Sequence, residues 1–416
     1  FLYHGWLNVK SNSGSNAPGV DGITAEDYGE NLNERLKGLS RRLKSGSYKP
    51  KAVRRVYIPK GNGEKRPLGV PTIEDRIVQE SLRLVMEPIF ETDFSDYSFG
   101  FRLNRSCHDA ISLVARQMAP AGGPYKPWIL DLDIEGYFEN VDHRTLMYAI
   151  QDRITDREIL DLIWKVLKSG VVEQGTYRNS VTGTPQGGII SPLLANIYLD
   201  ALDQWIKKWT ESTKNERERR RRRGKGSWSY VRYADDFLIM GSGRKHHAEA
   251  MMRRVENFID EELNLALSDK KSELTHAQDG LSFLGYDLKA CPKTGKAKRY
   301  VPKEAKKYIR GRIKKATSGP TEVSARGKIV AVNAVVRGWA NYYKYCNDAA
   351  KVISDVEYLL WHRMTDWLCK KYKCSKKTLI RRKLDSGPRI SVNGATLVDP
   401  RGMSTIYAES PLDKAH

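Results

Sequence analysis

Three carboxylates sit where a carboxylate is costly. Asp133 interrupts the apolar run Trp128-Ile129-Leu130-Asp131-Leu132-Asp133-Ile134 near its end, and Asp235-Asp236 interrupt Tyr233-Ala234-Asp235-Asp236-Phe237-Leu238-Ile239-Met240. Desolvating adjacent carboxylates costs on the order of several kcal/mol unless a cation neutralises them. An oxygen-only donor set favours Mg²⁺ over zinc. A turn presenting two acids beside a strand presenting another is able to hold two such ions. In-line phosphoryl transfer uses that arrangement, one ion activating the attacking hydroxyl and the other steadying the leaving oxygen. A lone Asp-Asp pair is more often a surface turn, so the surroundings decide.

Those acids need strands to carry them. Trp128–Ile134 reads as a strand, and because side chains alternate faces, Asp131 and Asp133 point the same way. Ser229–Met240 reads as a hairpin: strand, acidic turn, apolar strand. Upstream, Ala52–Lys60 alternates charged and apolar residues, turns at Gly61-Asn62-Gly63 and returns through Lys65–Val70, a second hairpin. Leu32, Leu36, Leu39 and Leu43, and then Ile77 to Ile89, fall at helical spacing. Pro292-Lys293-Thr294-Gly295 reads as a linker, after which helical patterns rich in Trp and Tyr run from Lys303 to Lys373. Aromatics at helical spacing are usually core residues, while the basic residues between them remain free to line a nucleic-acid channel.

Composition narrows the partner. The 416 residues carry 71 Lys+Arg against 50 Asp+Glu, a formal charge of +21, which implies a polyanionic partner. The charge is clustered: Lys289 to Lys315 holds twelve Lys/Arg and one acid, Glu304. Phosphate-backbone binding accounts for that density. The aromatic content excludes wholesale disorder, and no apolar stretch approaches the roughly 18–20 residues of a membrane span. The five cysteines form neither a disulfide framework nor a zinc pattern, which points to a reducing compartment. A cytoplasmic setting is expected, in a bacterial cytoplasm or nucleoid. Because the chain begins at Phe1, an organelle is the alternative if a targeting segment has been trimmed.

In order, the chain presents a basic hairpin, the Asp133 strand, Gly183-Thr184-Pro185-Gln186-Gly187-Gly188, Tyr233-Ala234-Asp235-Asp236 and Phe283-Leu284-Gly285. In this order it resembles the reverse transcriptases, and in particular their group II intron-encoded branch. The resemblance is carried by Arg54–Arg76, Phe94–Arg105, Asp131–His143, Gly183–Asp203, Tyr233–Phe237 and Phe283–Tyr286. Arg337-Gly338-Trp339-Ala340-Asn341-Tyr342-Tyr343 resembles the maturase, or thumb, region of the same branch. The implied fold is α/β (α+β), a right-hand polymerase. Its fingers would span residues 1–125 with the basic hairpin 52–70, and its palm 126–290 with a mobile Arg-rich insertion at 211–228. A helical thumb, or maturase X domain, would span 300–385, with 386–416 a tail or the start of a DNA-binding region.

The resemblance implies roles. Asp133 and Asp235 would share two Mg²⁺ ions, assisted by the Ile134 carbonyl and completed by Asp236, whereas Asp131 falls outside the catalytic position. Lys60 and Arg66 match fingers residues that grip the triphosphate of a dNTP, where cations offset developing charge. Tyr137 and Phe138 fall in the dNTP-binding turn, and the Phe138 ring matches the aromatic that crowds a ribose 2′-hydroxyl. Gln186 would bond the sugar from a turn whose glycines let the backbone approach closely. Lys271 matches a lysine proposed to protonate the leaving pyrophosphate, with Lys270 adjacent and the alignment open by one residue. Phe283-Leu284-Gly285 matches the turn that holds the primer end.

The activity so implied is RNA-directed DNA polymerisation. An RNA template, a DNA target or primer, and group II intron RNA would be the partners, with splicing as a maturase and retrohoming as the setting. Two rivals stand beside it. One is a domesticated relative in a CRISPR-linked, defence or repair role; the other is a splicing factor that does not polymerise, against which the intact Asp133, Asp235, Asp236, Lys60 and Gln186 argue. No His/Cys cluster of an endonuclease domain is present, so that activity is not expected. The sequence leaves the oligomeric state open.

Overall fold

The computed structural model describes all residues except 60–64, 119–124, 174–175, 179–181, 184–186, 212, 214, 217–218, 220–221, 223–225, 292–294, 383–388 and 404–416. Lys60, Gln186 and half of the Arg-rich insertion at 211–228 therefore lie outside the described residues. The chain divides into two units: residues 1–110 with 128–274, and residues 111–127 with 275–416.

In the first unit, Leu39 is buried on the apolar face of helix α1 (Leu32–Lys44), whose last turn carries Arg41, Arg42 and Lys44. Cations there complement the helix dipole. The basic segment forms strands β1 (Val53–Pro59) and β2 (Lys65–Val70), paired antiparallel with Ile58 opposite Arg66. Helix α2 (Ile73–Glu91) starts at Thr72, whose hydroxyl accepts the Asp75 N–H at 3.1 Å. Such a cap satisfies one of the donors that a helix start leaves unpaired.

The central sheet is built on β3 (Trp128–Asp133). A helix α3 (Ser191–Thr210) precedes the hairpin of β4 (Trp228–Tyr233) and β5 (Asp236–Gly241), and β5 pairs antiparallel with β3. In that register Asp236 stands opposite both Asp133 and Tyr233. Leu130, Leu132, Phe237 and Ile239 are buried in the core that includes Leu194, Leu199 and Leu202 of α3. Burying a side chain of this size contributes about 1.5–3 kcal/mol. Packing on both faces explains why β3 and β5 read as near-continuous apolar runs, so that an acid in either one stands out.

In the second unit, β6 (Leu281–Phe283), β7 (Tyr286–Cys291) and β8 (Lys296–Tyr300) form a three-stranded antiparallel sheet. Cys291 pairs with Lys296, so paired strands flank the segment expected to be a linker, of which residues 292–294 lie outside the described residues. Pro and Gly mark interdomain linkers and hairpin connections alike, and only the cross-strand register separates them. Helices α4 (Lys303–Ala316), α5 (Ala325–Tyr343) and α6 (Ala349–Tyr372) follow. Residues of the tail pack onto this bundle: the Asn333 amide of α5 donates to the Thr396 carbonyl at 2.8 Å and accepts the Val398 N–H at 2.8 Å. Among the described residues, no helix is long and apolar enough to cross a membrane.

Candidate active site

The carboxylates of the first unit gather at one end of the central sheet. Asp133 closes β3, and Asp236 opens β5 opposite it. Directly opposed residues have Cβ atoms about 4.5–5.5 Å apart. Asp235 lies in the two-residue connection between β4 and β5, beside Ala234 at φ +58°. That left-handed conformation favours glycine and is strained for alanine, at about 1–3 kcal/mol. Gly100 backs it: a Cβ there would come 2.3 Å from the Ala234 nitrogen.

The charges are not independent. Burial, then the negative charges of Asp235 and Asp133, push the Asp236 carboxyl up to about 7, although its side chain stays accessible to solvent. Burial and Asp236 push Asp131 to about 7 as well, as expected for two acids on one face. Asp235 is raised by burial and by Asp133, and lowered by Lys271 and Arg66. The charge of Arg66, on β2, therefore reaches the acidic end of the sheet.

The chain supplies one cation of its own. The Lys271 ammonium donates to Asp133 Oδ2 at 2.6 Å, and this hydrogen bond raises its pKa. The segment bearing Lys271 is pinned to the end of β3: the Ser268 N–H donates to the Asp133 carbonyl at 2.8 Å, and the Glu135 N–H donates to the Ala266 carbonyl at 2.9 Å. Of the adjacent lysines, Lys271 reaches Asp133. No group of three or more His, Cys, Asp or Glu side chains among the described residues forms a ready metal cage. The donor chemistry nonetheless fits Mg²⁺: oxygen-only carboxylates close enough to raise one another's pKa, with one already held by a cation.

The turn after β3 holds the aromatic pair. Tyr137 points inward, buried, with its hydroxyl donating to the Ala195 carbonyl at 2.5 Å. Its side chain is a core group, unavailable to the nucleotide that it was expected to contact. Phe138 is half-buried, 6.5 Å from the ring of Phe101. Gly183 (φ +88°) packs on this turn; a Cβ there would lie 2.8 Å from the Phe138 and Glu139 carbonyls. Gly187 (φ +103°) packs likewise on Gly69 of β2. The two glycines thus seat the ends of their loop by close backbone approach, one on the aromatic turn and the other on the basic hairpin.

In the second unit, Leu284 (φ +46°) and Gly285 (φ +70°) form the two-residue turn between β6 and β7. Two positive φ values in a two-residue hairpin loop match the twist of its strands. The Leu284 carbonyl accepts the Tyr342 hydroxyl at 2.6 Å, and Tyr286 hydrogen-bonds the Tyr342 carbonyl. Phe283 is buried behind the turn. Two motifs more than fifty residues apart are thereby joined, with Trp339 and Tyr343 as core aromatics behind them.

Sequence reasoning missed the support of the acidic turn. Arg232 of β4 and Asp203 of α3 are both fully buried, their ion pair spanning 2.5 Å. The available signal was Arg232 within the largely apolar strand Ser229–Ala234; Asp203 shares Leu193–Ile206 with Asn196, Asp200 and Gln204, so nothing in the sequence singles it out as the partner.

Residues 58–288 match the family described as reverse transcriptase (RNA-dependent DNA polymerase), and residues 306–384 match the group II intron, maturase-specific domain. Protein YkfC of Escherichia coli (strain K12) is 39% identical over 295 residues, 67% of this chain and 77% of its own. Group II intron-encoded protein LtrA of Lactococcus lactis is 35% identical over 334 residues, covering 69% of this chain. The match spans about half of LtrA, 54% of its length. A telomerase structure from Candida albicans aligns over 85% of this chain and 70% of its own at a TM-score of 0.45 and 12% identity.

Proposed function

The chain belongs to the group II intron-encoded reverse transcriptase and maturase family, and from that premise we propose that it is an RNA-directed DNA polymerase that also binds its intron RNA as a splicing maturase in retrohoming. The observation that carries the polymerase reading is the convergence of Asp133, Asp235 and Asp236 at one end of the sheet with the Lys271 ammonium on Asp133. A structural acid pair needs no such neighbours. The reaction is displacement of pyrophosphate from a dNTP by a primer 3′-hydroxyl on an RNA template.

Asp133, Asp235, Asp236 and the Ile134 carbonyl would hold two Mg²⁺ ions, which supply Lewis-acid charge to the attacking and leaving oxygens. Lys271, whose contact with Asp133 holds its pKa above the ordinary lysine value, would give a proton to the leaving pyrophosphate. Arg66, with Lys60, would grip the triphosphate from the fingers hairpin, while Gln186 would bond the sugar. Phe138, half-buried and braced by Tyr137 at 5.3 Å between ring centroids, would exclude a 2′-hydroxyl. The Leu284-Gly285 turn, held by Tyr342, would seat the primer end. Helices α4 to α6, in the proposed thumb at 300–385, would track phosphates with their exposed lysines and arginines.

Primer extension on an RNA template with Mg²⁺ and dNTPs tests the reading, with wild type set against Asp235→Ala. Long cDNA from the wild type alone is the expected result. A folded, RNA-binding wild type that makes no cDNA would instead favour a splicing factor that does not polymerise. Splicing of the intron RNA, with and without the protein, tests the maturase part separately.

A further inference from the structure

We infer that Arg232 is a positioning residue of this polymerase site: its guanidinium holds the Ala234 carbonyl and so sets the direction in which Asp235 meets Asp133. The inference rests on the polymerase reading above.

Arg232 is fully buried and uses its donors in three directions. Nε donates to Asp203 Oδ1 at 2.9 Å and Nη2 to Asp203 Oδ2 at 2.5 Å, a bidentate pair. Nη1 donates to Asn196 Oδ1 at 3.0 Å and to the Ala234 carbonyl at 2.9 Å. The Tyr230 hydroxyl donates to Asp203 Oδ1 at 2.7 Å, so the carboxylate facing the guanidinium is itself fixed. A planar fork delivers hydrogen bonds in set directions, which a lysine ammonium does not.

The far side of Ala234 is held through the same network. The Asn196 amide donates to the Gly100 carbonyl at 2.8 Å, and Gly100 lies so close that a Cβ there would meet the Ala234 nitrogen at 2.3 Å. Backbone bonds lock the frame: the Arg232 N–H donates to the Tyr97 carbonyl at 2.8 Å, and the Phe99 N–H donates to the Arg232 carbonyl at 2.9 Å. Ala234, at φ +58°, is thus gripped at both of its peptide groups. The gripped carbonyl belongs to the peptide plane that leads into Asp235, so a rotation there would swing the Asp235 carboxylate. A non-glycine residue persists in this conformation only where its surroundings over-determine it. A buried ion pair is weak evidence for stability, because apolar replacements are often as stable; here the pair provides direction.

The test compares wild type, Arg232→Lys and the smaller lesion Asn196→Ala, each checked for a cooperative melt and for RNA binding. Three readouts are followed: kcat and KM for dNTP in primer extension, the Mg²⁺ concentration giving half-maximal rate, and Mn²⁺ affinity by EPR without turnover. At saturating Mg²⁺, positioning predicts a fall in kcat of about 10–100-fold with KM for dNTP changed less than about twofold, because the groups that bind the nucleotide are untouched. The Mg²⁺ midpoint should rise and Mn²⁺ affinity should fall by at least about fivefold, since misaimed ligands weaken the ion before any chemistry. A merely structural role would lower the active fraction and leave the metal midpoints unchanged. Folded variants with wild-type Mn²⁺ affinity overturn the inference. So does failure of both variants to fold, which would make the pair a determinant of the fold alone. An inactive wild type would instead remove the polymerase reading on which the inference rests.

Discussion

Asp133 and Asp236 face each other across paired strands, with Asp235 beside them in the turn. Such crowding opposes folding in the absence of cations, so Asp235→Asn and Asp236→Asn should lose primer extension by about 10³-fold or more without lowering the thermal midpoint. Single-nucleotide extension and calorimetry check this, and retained extension would show that these carboxylates are not the catalytic acids. Gly100→Ala drives a methyl group into the Ala234 backbone; a displacement of about 1 Å near the reacting groups costs on the order of 10²-fold in rate, which a kcat measurement on the folded variant would read. Asp200, one turn from Asp203 on α3, is pushed up to about 6 by burial and by the Asp203 charge. Its folded pKa exceeds its unfolded value of 3.8, so the folded state holds the proton more tightly between those values. The stability it contributes is complete below pH 3.8 and is lost as pH rises through about 6. Asp200→Asn should therefore be more stable than wild type at pH 8 by on the order of 1–2 kcal/mol. Little difference is expected near pH 4, and equal denaturation midpoints at pH 8 would refute the account.

At the scale of elements, the supports of each motif come from distant segments. The Leu284-Gly285 turn is short enough to be set by its own two positive φ values, yet its carbonyl is claimed by Tyr342 of α5. The tail is tied in the same way at two points by Asn333 of α5, which both donates to it and accepts from it. Asn333→Ala leaves the Thr396 carbonyl and the Val398 N–H without that partner, at a cost of about 1–3 kcal/mol. Residues 389–403 should then be released to limited proteolysis while the helices of the bundle persist. An unchanged digestion pattern would mean that burial of Ile390, Val392 and Leu397 holds the tail unaided.

At the scale of the molecule, the net charge of +21 dominates any encounter with nucleic acid. If the clusters in Lys289–Lys315 and Lys370–Lys383 meet phosphates, released counterions make affinity fall steeply with salt. Between 50 and 200 mM salt, RNA affinity should drop by roughly 10³-fold or more, as measured by filter binding. A flat response would show that the positive charge merely solvates the surface. The two described units also separate the proposed chemistry from its proposed grip: the acids and Lys271 belong to residues 128–274, and the Leu284-Gly285 turn and its tyrosines to residues 275–416.

The sequence alone determined what depends on near neighbours along the chain. Alternation placed β3 and the basic and acidic hairpins, helical spacing placed α1, α2 and the bundle, and motif order identified the family. Asp133, Asp235 and Asp236 were legible because carboxylates within apolar runs violate a local rule. Tertiary structure decided what depends on distance in space. Lys271 rather than Lys270 meets Asp133 across 138 residues. Tyr137 turns inward to Ala195, Cys291 pairs with Lys296, and a buried Arg232–Asp203 pair stands behind the acidic turn. A side chain's partner and its desolvation are properties of the packed molecule, and residue type and spacing leave several partners equally available until the chain has closed around one.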